Sequence, residues 1–121
     1  METPDQLSLV ESGSVVATAG EMAESGSKKF LIQDGPFRAE CFVVLHGGRC
    51  FAYRNMCPHA GTPLDWTPNE FFGDTTAHLQ CRTHGAVFTT ETGKCIAGPC
   101  VGDELIPVRI VVDKDGTVTR S

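Results

Sequence analysis

Two short segments of this chain each carry one cysteine and one histidine close together. The first is Cys57-Pro58-His59 and the second is Cys81-Arg82-Thr83-His84. Thiolates and imidazoles are ligands for zinc and for iron–sulfur clusters, so the two pairs indicate a metal centre. So short a loop can aim both ligands at one small centre only if its backbone turns sharply, which Pro58, Gly61 and Gly85 permit. The sequence therefore predicts a metal centre held by two tight loops.

The residues around these ligands resemble the two cluster-binding loops of the Rieske iron–sulfur family. The matching segments are Cys57-Pro58-His59-Ala60-Gly61 and Cys81-Arg82-Thr83-His84-Gly85. Further along, the chain is similar to the family's closing strand, hairpin and proline-containing third loop, at Phe88, Glu91-Thr92-Gly93-Lys94 and Gly98-Pro99-Cys100. The resemblance covers roughly residues 15 to 120.

The resemblance implies a Rieske-type [2Fe-2S] cluster and a set of four ligands. Cys57 and Cys81 would hold the buried iron, and His59 and His84 would hold the iron nearer the surface. Two neutral imidazoles in place of two thiolates remove negative charge from the cluster and raise its potential relative to an all-cysteine ferredoxin. Electrons would leave through the histidine edge.

Four positions depart from the high-potential members of the family. Those relatives carry one cysteine in each loop, joined by a disulfide, whereas this chain has Thr62 and Thr83. They also carry a serine and a tyrosine that donate hydrogen bonds to cluster sulfurs, at the positions of Ala86 and Phe88. Fewer donors stabilise the reduced cluster less. We therefore expect a midpoint near the low end of the roughly −150 to +300 mV span of Rieske centres.

A structural zinc site is the main alternative for the same four residues, because two cysteines and two histidines also make a tetrahedral set. Zinc fingers usually group cysteine with cysteine and histidine with histidine. Here each pair mixes the two residue types, which favours the iron–sulfur interpretation.

The segment between the two pairs is longer than the family's commonest spacing. Residues 60 to 80 separate His59 from Cys81, twenty-one in all, which implies an insertion. Its stretch from Trp66 to Phe72 holds the only tryptophan of the chain. Packing beneath the cluster loops is the favoured interpretation, since small cores need aromatic residues. A docking surface for a redox partner is the alternative.

Short β-type runs separated by turns predict an all-β fold. The runs are Ser14 to Thr18, Lys28 to Gln33, Arg38 to His46, Arg49 to Arg54, His78 to Gln80, Ala86 to Thr89, Leu105 to Val112 and Thr117 to Arg120. Gly35-Pro36 and Gly47-Gly48 predict hairpins, and Gly20 to Ser25 predicts at most one helical turn. By resemblance, the 121 residues form one Rieske-like domain. It comprises an antiparallel β-sandwich, roughly 14–54 and 101–121, and a small inserted cluster-binding subdomain, roughly 55–100.

Composition limits the choice of partners and location. The net charge is −5 and no basic cluster is present, which argues against nucleic-acid binding. No stretch approaches the length of a membrane span, and the N-terminus lacks a signal-peptide pattern, so we expect a cytoplasmic protein. No role is predicted for Met1 to Gly13.

Four cysteines remain beyond the predicted ligands: Cys41, Cys50, Cys95 and Cys100. We expect free thiols at all four. Cys95 and Cys100 flank the third loop, where two buried apolar residues are favoured over a local disulfide or a redox-responsive pair.

These features predict a one-electron carrier, a free-standing Rieske-type ferredoxin that links a flavin or NAD(P)H-dependent reductase to an oxygenase. A terminal oxygenase would need a second domain for a mononuclear iron, and this chain has no room for it. Two alternatives remain open. One is a small subunit of a nitrite-reductase-like complex, and the other is an iron–sulfur or thiol redox sensor.

Overall fold

A computed structural model describes residues 7–58, 61–65, 70–73, 75–81 and 85–121. Within these ranges the chain forms nine short strands and one helix. The helix α1 is Ala19–Ser25, and the strands are β1 Val15–Ala17, β2 Ser27–Asp34, β3 Phe37–His46, β4 Arg49–Arg54, β5 His78–Gln80, β6 Val87–Thr89, β7 Cys95–Ala97, β8 Ile110–Val112 and β9 Val118–Arg120.

The strands form three antiparallel sheets, which confirms the predicted all-β class. Their strand orders are β1-β9-β8, β2-β3-β4 and β5-β6-β7. The third sheet contains the strands on either side of Cys81, so the second predicted ligand loop is a hairpin connection. In the described ranges, no helix has both the length and the apolar character needed to cross a membrane.

Both predicted hairpins join the strands of the second sheet. Asp34 pairs with Phe37 across Gly35-Pro36, and His46 pairs with Arg49 across Gly47-Gly48. The last two glycines have φ angles of 60° and 77°. Two-residue turns of this kind follow the right-handed twist of the strands and need positive φ at both positions, which glycine adopts without steric cost.

Strand β3 lies between two hydrophobic cores. Phe42 and Val44 face the core that also contains the two cysteines of the predicted ligand loops. Cys41 and Val43 face the other core, which includes residues of β1, α1 and β9. Successive side chains of a strand point to opposite faces, so burial on both faces produces the continuous apolar run in this part of the sequence.

The helix is longer than the predicted single turn because its ends are well capped. The Thr18 side chain accepts a hydrogen bond from the Glu21 backbone, and the Glu21 side chain accepts one from the Thr18 backbone. Gly26 ends the helix with a φ of 73°. This reciprocal pair at the start and glycine at the end stabilise a helix whose apolar periodicity is weak.

One strand prediction was wrong in detail, and one strand was missed. Leu105 to Val112 was predicted as one strand, but only Ile110–Val112 forms one, because Pro107 lacks the N–H that a continuous ladder requires. Strand β7, Cys95–Ala97, was not predicted. This strand has only three residues before a glycine, which is too short for a recognisable alternation of apolar and polar residues. The pairing of β7 with β6 is also irregular.

Two phenylalanines of the insertion, Phe71 and Phe72, pack in the core. Phe71 is buried and its ring stacks on Phe42, with ring centroids 4.2 Å apart. Phe72 is partly buried against the same core. Packing was the favoured prediction, and it holds for these two residues, while Trp66 lies outside the described residues.

Candidate metal centre

The first predicted ligand loop turns back on itself directly around Cys57. The Cys57 N–H donates to the carbonyl of Thr62 at 2.7 Å, and the Gly61 N–H donates to the carbonyl of Cys57 at 2.7 Å. Gly61 has a φ of 70°, and a Cβ added there would meet no atom within 4 Å. Backbone conformation, rather than a lack of space, therefore explains the glycine.

The second loop repeats this hydrogen-bond pattern around Cys81. The Cys81 N–H donates to the carbonyl of Ala86 at 2.8 Å, and the Gly85 N–H donates to the carbonyl of Cys81 at 2.8 Å. Gly85 has a φ of 74°. In both loops the cysteine backbone is thus hydrogen-bonded to the residues four and five positions further along the chain. Each glycine adopts the same left-handed conformation. The described ends of the two loops are therefore structurally equivalent.

The structure brings the two predicted cysteine ligands into one core. Cys57 and Cys81 are both fully buried and pack in the same hydrophobic cluster as Leu64 and Leu79. The two predicted histidine ligands, His59 and His84, lie outside the described residues. In the described part of the chain, no three potential ligands gather as a metal site would require.

Thr62 supplies a test of whether the loop suits a cluster. Its Oγ1 is buried, and no residue that the structure describes forms a hydrogen bond with it. A buried hydroxyl without an acceptor is costly, and such groups in proteins are nearly always satisfied. Sulfur atoms of a cluster held by the adjoining Cys57 would provide acceptors. The two thiol donors and this hydroxyl therefore fit a [2Fe-2S] group.

Asn55 closes the base of the first loop. Its Oδ1 accepts from the Leu64 N–H at 2.8 Å, and its Nδ2 donates to Asp65 Oδ1 at 2.7 Å. Its own N–H donates to the carbonyl of Glu40 in β3 at 2.8 Å. One side chain thus joins the two ends of the loop, and its backbone attaches the loop to the second sheet.

A buried lysine attaches the same loop to β2. Lys29 Nζ lies 3.0 Å from Asp65 Oδ2 and 3.4 Å from Glu40 Oε1. Burial alone would favour neutral lysine, but the hydrogen bond and charge of Asp65, together with Glu40, raise the Lys29 pKa above its usual value. The ammonium group therefore stays charged and holds both carboxylates.

Cys95 and Cys100 also reach this core and contact each other. Their Sγ atoms are 2.9 Å apart, and both side chains are buried. Cys57 is a second hydrogen-bonding neighbour of Cys100. Burial, and then the neighbouring thiols of Cys95 and Cys57, raise the pKa of the Cys100 thiol. All six cysteines lie in the described ranges, and none of these six forms a disulfide, as expected for the four outside the ligand loops.

Several residues that hold the first loop in place have no recognisable signal in the sequence. Lys29 follows another lysine at the start of a strand, and nothing in the pattern shows which of the two is buried. Asn55 and Asp65 are ordinary loop residues until the fold joins them. Among the residues of this core, only Cys95 and Cys100 were singled out in advance by their position beside the third loop, and contact between them was the less favoured alternative.

Comparison with known proteins bears on the family and the fold of the chain. The profile of the Rieske [2Fe-2S] domain family matches residues 12–114. Among curated proteins, none matches the chain significantly.

Solved structures with the same fold include the ferredoxin of carbazole 1,9a-dioxygenase from Nocardioides aromaticivorans IC177. It is 27% identical, with a TM-score of 0.68, over 91% of this chain and 98% of that chain. A complex of reduced oxygenase and oxidized ferredoxin in carbazole 1,9a-dioxygenase matches at 21% identity and a TM-score of 0.67, over 88% of this chain and 99% of that chain.

The terminal oxygenase of carbazole 1,9a-dioxygenase from Novosphingobium sp. KA1 matches at 19% identity and a TM-score of 0.70. The match covers 90% of this chain but only 29% of the oxygenase chain. The family profile spans most of the sequence, and the structure places the two cysteine loops in one core. The chain therefore belongs to the Rieske [2Fe-2S] domain family and holds the family's [2Fe-2S] cluster.

Proposed function

We propose that this protein is a one-electron carrier, a Rieske-type ferredoxin that passes electrons from a flavin or NAD(P)H-dependent reductase to an oxygenase. The observation that carries the proposal is the pair of equivalent loops that bury Cys57 and Cys81 in one core. The match to 98% of the length of a dioxygenase ferredoxin supports the same role. The nitrite-reductase-like subunit is not favoured by these relatives.

We assign four ligands to the cluster. Cys57 and Cys81 hold the inner iron, and His59 and His84 hold the outer iron. The bound cluster supplies reversible one-electron chemistry. The chain's own part is to bury the thiolates, which excludes water from the inner end, and to keep the loop conformation fixed through Asn55.

The partners follow from the relatives and remain part of the proposal. One related structure is described as a complex of an oxygenase with its ferredoxin, which supports an oxygenase as the electron acceptor. The reductase and the cytoplasmic location are predictions from the sequence. The same holds for the division of the chain into a sandwich, residues 14–54 and 101–121, and an inserted subdomain, residues 55–100.

The ligand assignment is tested by analysing iron, sulfide and the magnetic signal of anaerobically purified protein. We expect iron and inorganic sulfide in equal amounts and a Rieske-type electron paramagnetic resonance signal after reduction. His59→Ala and His84→Ala should each abolish that signal. His46→Ala and His78→Ala are matched controls and should retain it. Zinc without sulfide, or an unchanged signal in the His59 or His84 variant, would contradict the assignment.

The carrier role is tested by reductive titration and reoxidation. We expect the protein to take up one electron per cluster from a photoreduced flavin and to return it to an oxidised haem protein in stopped-flow mixing. A carrier lacking Cys95 and Cys100 should still take up and return one electron per cluster, so the double variant Cys95→Ala/Cys100→Ala separates this role from the sensor alternative. A cluster that cannot be reoxidised by a protein acceptor would exclude the carrier role.

A further inference from the structure

Cys95 and Cys100 form a pair of buried thiols that the electron-carrier role does not use. Cys95 begins β7, and Cys100 lies in the turn that follows this strand. Their Sγ atoms are 2.9 Å apart, while their side chains are only 5% and 2% exposed. Sulfur atoms in a disulfide lie about 2.05 Å apart, so a small further approach would allow a bond.

The backbone holds the pair in this arrangement. Gly98, between the two cysteines, has a φ of 93°, and a Cβ added there would lie 2.8 Å from Ala86 Cα. The turn therefore packs directly on the second ligand loop. The Cys95 N–H donates to the Asp103 carbonyl at 3.0 Å, and the Asp103 N–H donates to the Cys100 carbonyl at 2.9 Å. Asp103 thus ties both cysteines to one short segment.

The pair also contacts the cluster site, because Cys57 is the second hydrogen-bonding neighbour of Cys100. The three sulfur-bearing residues belong to one core cluster. We propose that Cys95 and Cys100 are a modification site, at which hydrogen peroxide joins them in a disulfide and thereby removes the Cys100 thiol from Cys57.

The reaction is a two-electron oxidation of two thiols. Burial and its neighbours keep the Cys100 thiol protonated, so the attacking sulfur is that of Cys95, which accepts the hydrogen bond of Cys100. The Cys95 sulfur attacks hydrogen peroxide, so that an S–O bond forms, the O–O bond breaks and water leaves, giving a sulfenic acid. The second sulfur then displaces the sulfenic oxygen, forming the S–S bond and releasing a second water molecule. Overall the two thiols and one peroxide give one disulfide and two waters, and an external dithiol reverses the step by exchange.

The disulfide changes the surroundings of the ligand Cys57. In the structure the single hydrogen of the Cys100 thiol is donated to Cys95, and rotation about the Cβ–Sγ bond turns it to the ligand sulfur of Cys57. A disulfide sulfur has no hydrogen to donate. Donors to the sulfurs of an iron–sulfur centre stabilise its reduced form, so losing one moves the midpoint to more negative values. This consequence rests on the proposed function, whereas formation of the disulfide does not.

Peptide mapping tests the modification without reference to electron transfer. Cluster-loaded protein is treated with stoichiometric peroxide, labelled with a maleimide under denaturing conditions and cut with trypsin. Cys95 and Cys100 share one tryptic peptide, which ends at Arg109, whereas Cys57 and Cys81 share the peptide 55–82, and Cys41 and Cys50 lie on two others.

We expect the peptide 95–109 to lose all maleimide labelling and the mass of two hydrogens, and to regain both after treatment with dithiothreitol. The peptides of Cys41 and Cys50 serve as internal controls and should stay fully labelled. Full labelling of the peptide 95–109, irreversible addition of oxygen to it, or a crosslink from it to the peptide 55–82 would overturn the proposal.

The midpoint potential tests the effect on the cluster. In the unmodified protein we expect a negative shift after peroxide and its reversal by dithiothreitol. Cys95→Ala should have the midpoint potential of the protein with free thiols, and peroxide should not change it. Cys100→Ala should have a lower midpoint potential before any treatment, and peroxide should not change it either. A mapped disulfide without any shift would overturn the coupling to Cys57, and a shift in Cys95→Ala would assign the effect to another site.

Discussion

At the scale of single residues, a buried ion pair secures the first ligand loop. Lys29 and Asp65 are almost fully buried, with side chains 7% and 2% exposed, and Glu40 is nearby in β3. Such a pair gains little relative to an apolar replacement of both partners. Removing one partner alone is costly, because it leaves an uncompensated charge in the interior. The loop therefore depends on a lysine that is remote from it in sequence.

Lys29→Met should destabilise the protein strongly, because it leaves the Asp65 carboxylate buried without its cation. We expect a loss of about 3–5 kcal/mol in the free energy of unfolding. Lys28→Met is the matched control, since Lys28 pairs with Glu21 at the surface and such pairs contribute at most about 1 kcal/mol. Urea denaturation followed by circular dichroism would measure the free energy of unfolding of both variants. Equal losses of stability in Lys29→Met and Lys28→Met would contradict the role of Lys29.

The same lysine predicts a dependence of stability on pH. Its pKa is raised in the folded protein, mainly by Asp65 acting against burial. Its contribution is therefore complete below the unfolded value of about 10.4 and is lost as pH rises through the folded value. Unfolding free energies of the natural protein and Lys29→Met should converge in strong alkali. A constant difference across that range would argue against the charged pair.

Thr62→Val tests the buried hydroxyl beside Cys57. Valine preserves the shape of the side chain and removes its only donor, so the cluster would lose one hydrogen bond. We expect a more negative midpoint, from a starting value already near the low end of the roughly −150 to +300 mV range. Protein-film voltammetry measures this shift. Thr119→Val, in the distant strand β9, should leave the potential unchanged.

At the scale of elements, the sequence predicted what depends on local chemistry. The turns at Gly61 and Gly85 follow from cysteine and glycine at fixed spacing in the two predicted ligand loops, and the hairpins follow from Gly35-Pro36 and Gly47-Gly48. Strand β7 was not predicted, and contact between Cys95 and Cys100 was only the less favoured alternative. They depend on how tightly the turn at Gly98 packs on another loop, and pairing between distant segments leaves no local pattern.

Gly98→Ala tests this packing of the third loop on the second ligand loop. The new methyl group would collide with the Ala86 backbone, and the residue would keep a φ of 93°. We expect the free energy of unfolding to fall by about 1–3 kcal/mol from overpacking and by about 1–2 kcal/mol from the strained backbone. The cluster should also be lost faster. Gly102→Ala is the control in the same segment, because its φ is 103° but its Cβ would meet no atom. Bleaching by an iron chelator measures the loss, and equal rates in the two variants would contradict the contact.

At the scale of the whole molecule, β3 joins two cores with different tasks. One core joins the first and second sheets through residues such as Phe30 and Val118, and the other surrounds Cys57 and Cys81. The sequence indicated an all-β fold because apolar runs and turns alternate, whereas the sandwich was implied only by the family resemblance. The sequence could not show that one strand serves both cores, since a continuous apolar run is equally typical of any strand buried on both faces.

The net charge of −5 predicts how fast the protein exchanges electrons with charged partners. Salt shortens the reach of its electric field, from about 30 Å at 0.01 M to about 10 Å at 0.1 M ionic strength. Reoxidation by a cationic cobalt(III) complex should therefore slow by about tenfold or more as salt is added. Reoxidation by anionic ferricyanide, the matched control, should accelerate under the same conditions. Stopped-flow absorbance measures both rates. If salt left both unchanged, long-range attraction would have no part in the encounter, and an acidic carrier would hold no advantage with a basic reductase or oxygenase.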